Sequence, residues 1–131
     1  MPRKSEKRGR LIIAAKELFF KKGFNNTTLA DIAEIALVPL GNIYYYFKSR
    51  DEFCAAVIQA YKTDIENMIS KFSLADSAKD RLIAVVNFYA DKKEEIARYG
   101  NMFINLIEEL AKLNHSAVNT AQAVLNTMLN W

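Results

Sequence analysis

The stretch from Thr27 to Phe47 constrains this chain most, because it reads as two short helices joined by a tight turn. Leu29, Ile32, Ala33 and Ala36 recur at helical spacing and give the first helix one apolar face. Thr28, three residues before Asp31, supplies an approximate capping box at its start. Pro39 has a fixed φ and no N–H, which suits the opening of a second helix. Ile43 and Phe47, four apart, give that second helix a buried stripe. Helices this short are not stable alone in water, so they must pack on another element. The arrangement is a helix-turn-helix.

At about 100° per residue, with Ile43 set at zero, Gly41, Tyr45 and Asn42 fall opposite the core. Tyr44 and Tyr46 fall on the flanks, and Leu40 lies nearer the core than the other outward positions. The outer face therefore carries an amide, a bare backbone and a phenol. An Asn can read adenine through two hydrogen bonds, and Gly permits close approach. Flanking tyrosines can donate to phosphates. The alternative for such an aromatic run is a covering for a core edge.

Charge is distributed in the same sense. Residues 1–50 hold ten Lys/Arg against four acids, a net +6, whereas the rest holds eight against eleven, a net −3. A basic front on an acidic body is the footprint of a nucleic-acid-binding head; the alternative is a solvated lysine-rich tail. Met1–Arg8 is expected to be a flexible basic arm. Leu11, Ile12, Ala15, Leu18 and Phe19 predict a helix over about 10–22, ended by Gly23 in a left-handed cap with Phe24 folded back onto it. Ser49 and Glu52 form a second capping box, opening a long helix with Phe53, Val57, Ile58, Tyr61, Ile65, Met68, Ile69 and Phe72 on one face. Lys48 and Arg50 stand at its start, within reach of a phosphate, so this helix links head and body.

Amphipathic segments follow from Ser77, around Met102–Leu110 and from Val118, with a bend expected in Asp91–Glu95. The last pattern is still running at Trp131, which gives the expectation of a C-terminally truncated chain. The fold class is thus all-α: a three-helix head (1–48) and an incomplete helical second domain (49–131). With 51% hydrophobic residues, 4 Gly and 2 Pro, the composition favours a packed helical protein over disorder or an all-β fold. No apolar run approaches a membrane span and no leader-like segment is evident, so a cytoplasmic protein is expected. The single cysteine, Cys54, excludes an internal disulfide.

The pattern resembles the TetR family of transcriptional repressors. The resemblance runs from about Leu11 to Phe53 and rests on Ala14–Phe19, Gly23-Phe24, Thr27-Thr28, Asp31-Ile32-Ala33, Gly41–Phe47 and Ser49–Phe53. It implies a homodimer, in the full-length protein, on a palindromic operator, released by a small molecule bound in the second domain. By position, Thr28, Tyr44, Tyr46 and Arg50 match the family's phosphate contacts, and Leu40, Gly41, Asn42 and Tyr45 match positions facing bases. Leu37 stands where the family commonly has Gly, and Pro39 where it often has Ser or Thr. A left-handed conformation at Leu37 would cost about 1 kcal/mol or more against Gly.

Candidate walls of a ligand pocket are Tyr61, Ile65, Tyr89, Tyr99, Met102, Phe103, Met128 and Leu129, residues that suit a small apolar or aromatic ligand. Their alternative is ordinary core. A filled core would favour a DNA-binding or interaction module with no inducer. A cavity lined by Tyr61, Tyr89, Phe103 and Ile107 would favour the ligand-released repressor. Cys54 is expected to be packing rather than a redox sensor. His115 has no second ligand for a metal, and is expected to be a solvated corner residue. Glu94/Glu95 and Glu108/Glu109 are expected to be solvated surface pairs. No catalytic constellation, cofactor motif or phosphate loop is present, so the chain is not expected to be an enzyme.

Overall fold

The computed structural model describes residues 4–129 and is all-α over them. The first helix, α1 (Lys4–Lys21), buries Leu11, Ala14, Ala15, Leu18 and Phe19. It begins within the stretch expected to be a flexible arm, so Lys4–Arg8 are helical. The missing feature is any Pro or Gly between residues 4 and 8 that would break the helix; Glu6 in the first turn also complements its dipole. Gly23 ends the segment at φ +87°, where a side chain would be strained and where a Cβ would lie 3.1 Å from Glu109 Oε2. Phe24 folds back edge-on to Phe19, with ring centroids 5.2 Å apart.

The Thr28 capping box forms in full around α2 (Leu29–Ala36). Asp31 N donates to Thr28 Oγ1, and Thr28 N donates to Asp31 Oδ2, both at 3.1 Å. Ile32, Ala33 and Ala36 are buried. The next helix, α3 (Leu40–Ile43), is a single turn with Pro39 immediately before it. The chain then tightens, Tyr45 N donating to the Asn42 carbonyl and Tyr46 N to that of Ile43, before Phe47 N returns to Ile43. Ile43 and Phe47 are both buried.

Ser49 caps α4 (Arg50–Ser73) by accepting from Glu52 N at 3.2 Å. Glu52 accepts from Lys48 N, one residue earlier than the reciprocal bond of a full box. Phe53 stacks on Phe47 with centroids 3.9 Å apart, fixing α4 to the helix-turn-helix. Beyond a break at Leu74–Asp76 come α5 (Ala78–Asp91), α6 (Lys93–Tyr99), α7 (Met102–Lys112) and α8 (Val118–Leu129). The bend expected in the charged stretch falls at Lys92. Asn101 caps α7, accepting from Phe103 N and Ile104 N.

One continuous buried cluster runs from α1 through α2, α3 and α4 to α7 and α8. Helix α5 contributes nothing to it. Its apolar stripe forms at the expected spacing, yet Leu82 is 64% and Val86 57% exposed. No described helix is long and apolar enough to cross a membrane.

Candidate nucleic-acid interface and cavity

The turn between α2 and α3 is held from two directions. Leu37 adopts the left-handed conformation, φ 57° and ψ 42°, with its side chain 81% exposed. Val38 N then reaches back to the Ala33 carbonyl at 3.0 Å, closing the end of α2. Two further carbonyls at that helix end are met by Arg10 of α1. Its Nε and Nη2 donate to Ala36 O at 3.0 and 2.5 Å, and Nη2 also to Leu37 O at 3.0 Å. In the sequence Arg10 counts only as one of ten basic residues. The signal for its role was a helix end without Gly, whose carbonyls needed a donor.

The outer surface of the second element carries Leu40, Gly41, Tyr44 and Tyr45, all exposed, with Tyr45 the most open at 74%. Nothing lies within 4 Å of a Cβ built at Gly41. Asn42 and Tyr46 are half-buried, and Tyr46 packs against the core cluster. Lys48 Nζ donates to the Tyr44 carbonyl, closing the turn. This face offers an amide, phenols and open backbone, groups able to meet base edges and phosphate oxygens.

Thr28 is exposed, but its hydroxyl is engaged as the cap of α2. Lys22 Nζ lies 2.9 Å from Asp31 Oδ2. That contact, with the Thr28 N–H behind it, holds the Asp31 carboxyl down at about 2. Arg50 turns inward. Its Nη1 donates to Asn25 O at 2.9 Å and makes longer contacts, 3.4 Å, to Phe24 O and Thr27 O; the guanidinium also sits over the Phe24 ring. It thus fixes the loop that precedes α2.

Two expectations about the same loop are overturned. Glu109 is not a solvated surface acid: its carboxylate accepts from Phe24 N at 2.6 Å and Asn25 N at 3.0 Å. His115 is not a solvated corner residue, being 14% exposed. Its Nδ1 accepts from Ala117 N, which leaves the proton on Nε2 to be donated to Asp51 Oδ1 at 2.7 Å, and its ring meets Phe24 edge-on. Both contacts join residues more than 60 positions apart. Helical periodicity cannot reveal such pairs.

In the body, a cavity of about 670 Å³ opens between α4, α5, α6 and α7. Five of the expected wall residues line it: Tyr61, Ile65, Tyr89, Met102 and Phe103. The side chains of Tyr99, Met128 and Leu129 lie outside the described residues. Ile107 is buried in the common core and is not part of the lining. The sequence reading missed Lys71 and Lys92 at the rim. Among the described residues no group of three or more His, Cys, Asp or Glu side chains is placed to hold a metal.

Comparison with known proteins gives the head its kinship. Residues 11–57 match the sequence profile described as bacterial regulatory proteins, tetR family. Over these residues the chain belongs to the tetR family. Similar curated proteins include the HTH-type transcriptional repressor DhaR of Mycobacterium sp. (strain GP1), 27% identical over 107 residues, covering 82% of this chain and 54% of that protein. An uncharacterized HTH-type transcriptional regulator of Lactococcus lactis subsp. lactis is 30% identical over 110 residues, 80% of this chain and 55% of the relative. The HTH-type transcriptional regulator TtgR of Pseudomonas putida is 44% identical over 55 residues, 42% of this chain and 26% of the relative. The chain spans about half the length of the first two.

Proposed function

We propose that this chain is the DNA-binding and effector-sensing part of a tetR-type repressor, released from a palindromic operator by a small apolar or aromatic molecule. The observation that carries the reading is the joint presence of an exposed Gly41–Tyr45 surface, on which Asn42 is half-buried, and a cavity against α4, the next helix in the chain. The repressor assignment is supported by the name of the DhaR relative. In this reading residues 1–48 act as the head and 49–131 as the body, sharing one core. Operator spacing would follow from two heads in a homodimer, with recognition elements about 34 Å apart or a multiple of it. A rigid α4 would turn a small displacement at Tyr61 or Ile65 into a larger one at its head end. A ligand would shift the equilibrium only by its differential affinity for the two head spacings. No catalytic step is part of the reading. The open cavity weighs against the alternative of an interaction module with a filled core.

The test is a titration of the full-length protein on its own upstream DNA with and without candidate ligands. Asn42→Ala is expected to relax the preference at one base position by about 1–3 kcal/mol while leaving binding to random DNA nearly unchanged. Tyr44→Phe is expected to weaken binding about equally on specific and random DNA. Equal losses from both variants on both DNAs would refute the division between base-reading and phosphate-contacting positions.

A further inference from the structure

The cavity has two unlike ends. Its deep part is apolar: Tyr61 and Phe103 stack with ring centroids 4.7 Å apart, and Ile65 and Phe72 are buried beside them. Its mouth carries Lys16, Asp64, Lys71, Lys92 and Glu95. Lys16 and Asp64 neutralise each other at 2.5 Å, with the Lys16 ammonium also over the Tyr61 ring. Lys71 and Lys92 form no ion pair with a described residue. Lys92 Nζ instead rests 4.4 Å from the centroid of the Phe88 ring, a contact that orients an ammonium over an apolar wall without neutralising it. The lining therefore holds two ammonium groups, Lys71 and Lys92, and one carboxylate, Glu95, that form no ion pair with a described residue. Burial, and after it the charge of Asp64, pushes the Tyr61 phenol well above its ordinary range, so its hydroxyl stays a donor.

We infer that this cavity takes a small amphipathic anion, an apolar or aromatic body lying along Tyr61 and Phe103 with one carboxylate-type group between Lys71 and Lys92. The inference rests on the proposal that the cavity is the effector site, and adds the charge and shape of the effector. A neutral body of the same shape would fill the deep part and leave both lysines without a counter-charge. A cation would meet two like charges for one opposite. The volume is that of a cleft for a ligand of drug-like size, about 300–1,000 Å³.

Phenylbutanoate, phenylbutanol and phenylbutylamine share one apolar body and differ in charge at about pH 7. Calorimetric titration of the 131-residue chain with each is expected to show the acid binding about fivefold tighter than the alcohol, and the amine weakest. Raising the salt should shrink the difference, because the lysines are exposed. The double variant K71M/K92M should erase the preference for the acid while the alcohol binds within about twofold of its original affinity. Equal binding of all three, tighter binding of the amine, no binding of any, or a preference untouched by K71M/K92M would overturn the inference. Operator affinity measured separately keeps the two readings apart. A preference for the acid with no change in DNA binding would uphold the anion site and refute ligand release.

Discussion

The loop from Gly23 to Thr27 and the outer helix α5 are held in opposite ways. The loop is short and polar, yet it is fixed from three places in the sequence. Glu109 of α7 takes two of its backbone N–H groups, Arg50 of α4 takes its carbonyls, and His115 packs on Phe24 while it bonds Asp51. Thr27 is fully buried, with its hydroxyl donated to Gly23 O at 2.7 Å. Helix α5 is 14 residues long, well capped by Ser77, and carries an apolar stripe, but buries none of its residues. Capping and periodicity make a helix; only a partner surface makes it contribute to a core. The comparison also locates compliance. The loop in front of α2 moves only with α4 and α7, whereas the α5 wall of the cavity is held by little buried area and is the cheaper part to displace.

The largest expected effect strikes the loop. Glu109→Ala leaves the Phe24 and Asn25 N–H groups without their acceptor and should cost about 2 kcal/mol in urea denaturation. Glu109→Gln should cost less, since one oxygen can still accept. If the Ala variant loses under about 0.5 kcal/mol, the loop holds itself and the contrast with α5 collapses.

Next in size is a gain. Leu37 occupies a left-handed conformation with an exposed side chain, so Leu37→Gly should remove strain while sacrificing little packing. A stabilisation of about 1 kcal/mol is expected, read from the same denaturation curve. A loss would mean that the side chain is covered in solution.

On α5 the expectation is near silence. Val86→Ser should change stability by less than about 0.5 kcal/mol, because the residue is mostly in solvent. A loss above about 1 kcal/mol would show that something covers this face, and would bring α5 into line with the loop.

The smallest effect is a titration. Asp31 has a folded pKa of about 2 against an ordinary 3.8, through its hydrogen bonds from Lys22 and then Thr28. A depressed carboxyl stabilises the fold fully above its ordinary value, and loses that contribution as pH falls through the folded one. The Thr28 amide resonance should therefore follow a transition centred near about pH 2. A midpoint near the ordinary value would show that the Lys22 contact does not persist.

Local chemistry was legible and long-range chemistry was not. Thr28 with Asp31, Ser49, Gly23 and the periodic apolar residues announce where helices start, stop and bury, because their partners lie within a few positions. The same periodicity brings Tyr61, Ile65, Tyr89, Met102 and Phe103 around one cavity. It did not reveal Arg10 on the end of α2, Glu109 on the head loop, or the inward turn of Arg50, since a charged residue on a wheel looks solvated until its partner arrives from another helix. The exposure of α5 was hidden for the converse reason: a stripe of Leu82, Ile83 and Val86 says which side would bury, and nothing about what it meets.

Cys54 gives the chain a built-in clock. It is the sole thiol, wholly buried one turn into α4, and burial together with the charges of Asp51 and Glu109 pushes it up to about 12. A thiol-specific dye added to the folded chain therefore has nothing to label until α4 lifts from its bed. The rate at which colour appears measures how often that lift happens, and any cysteine introduced on the surface can be tagged alone while the native one keeps time.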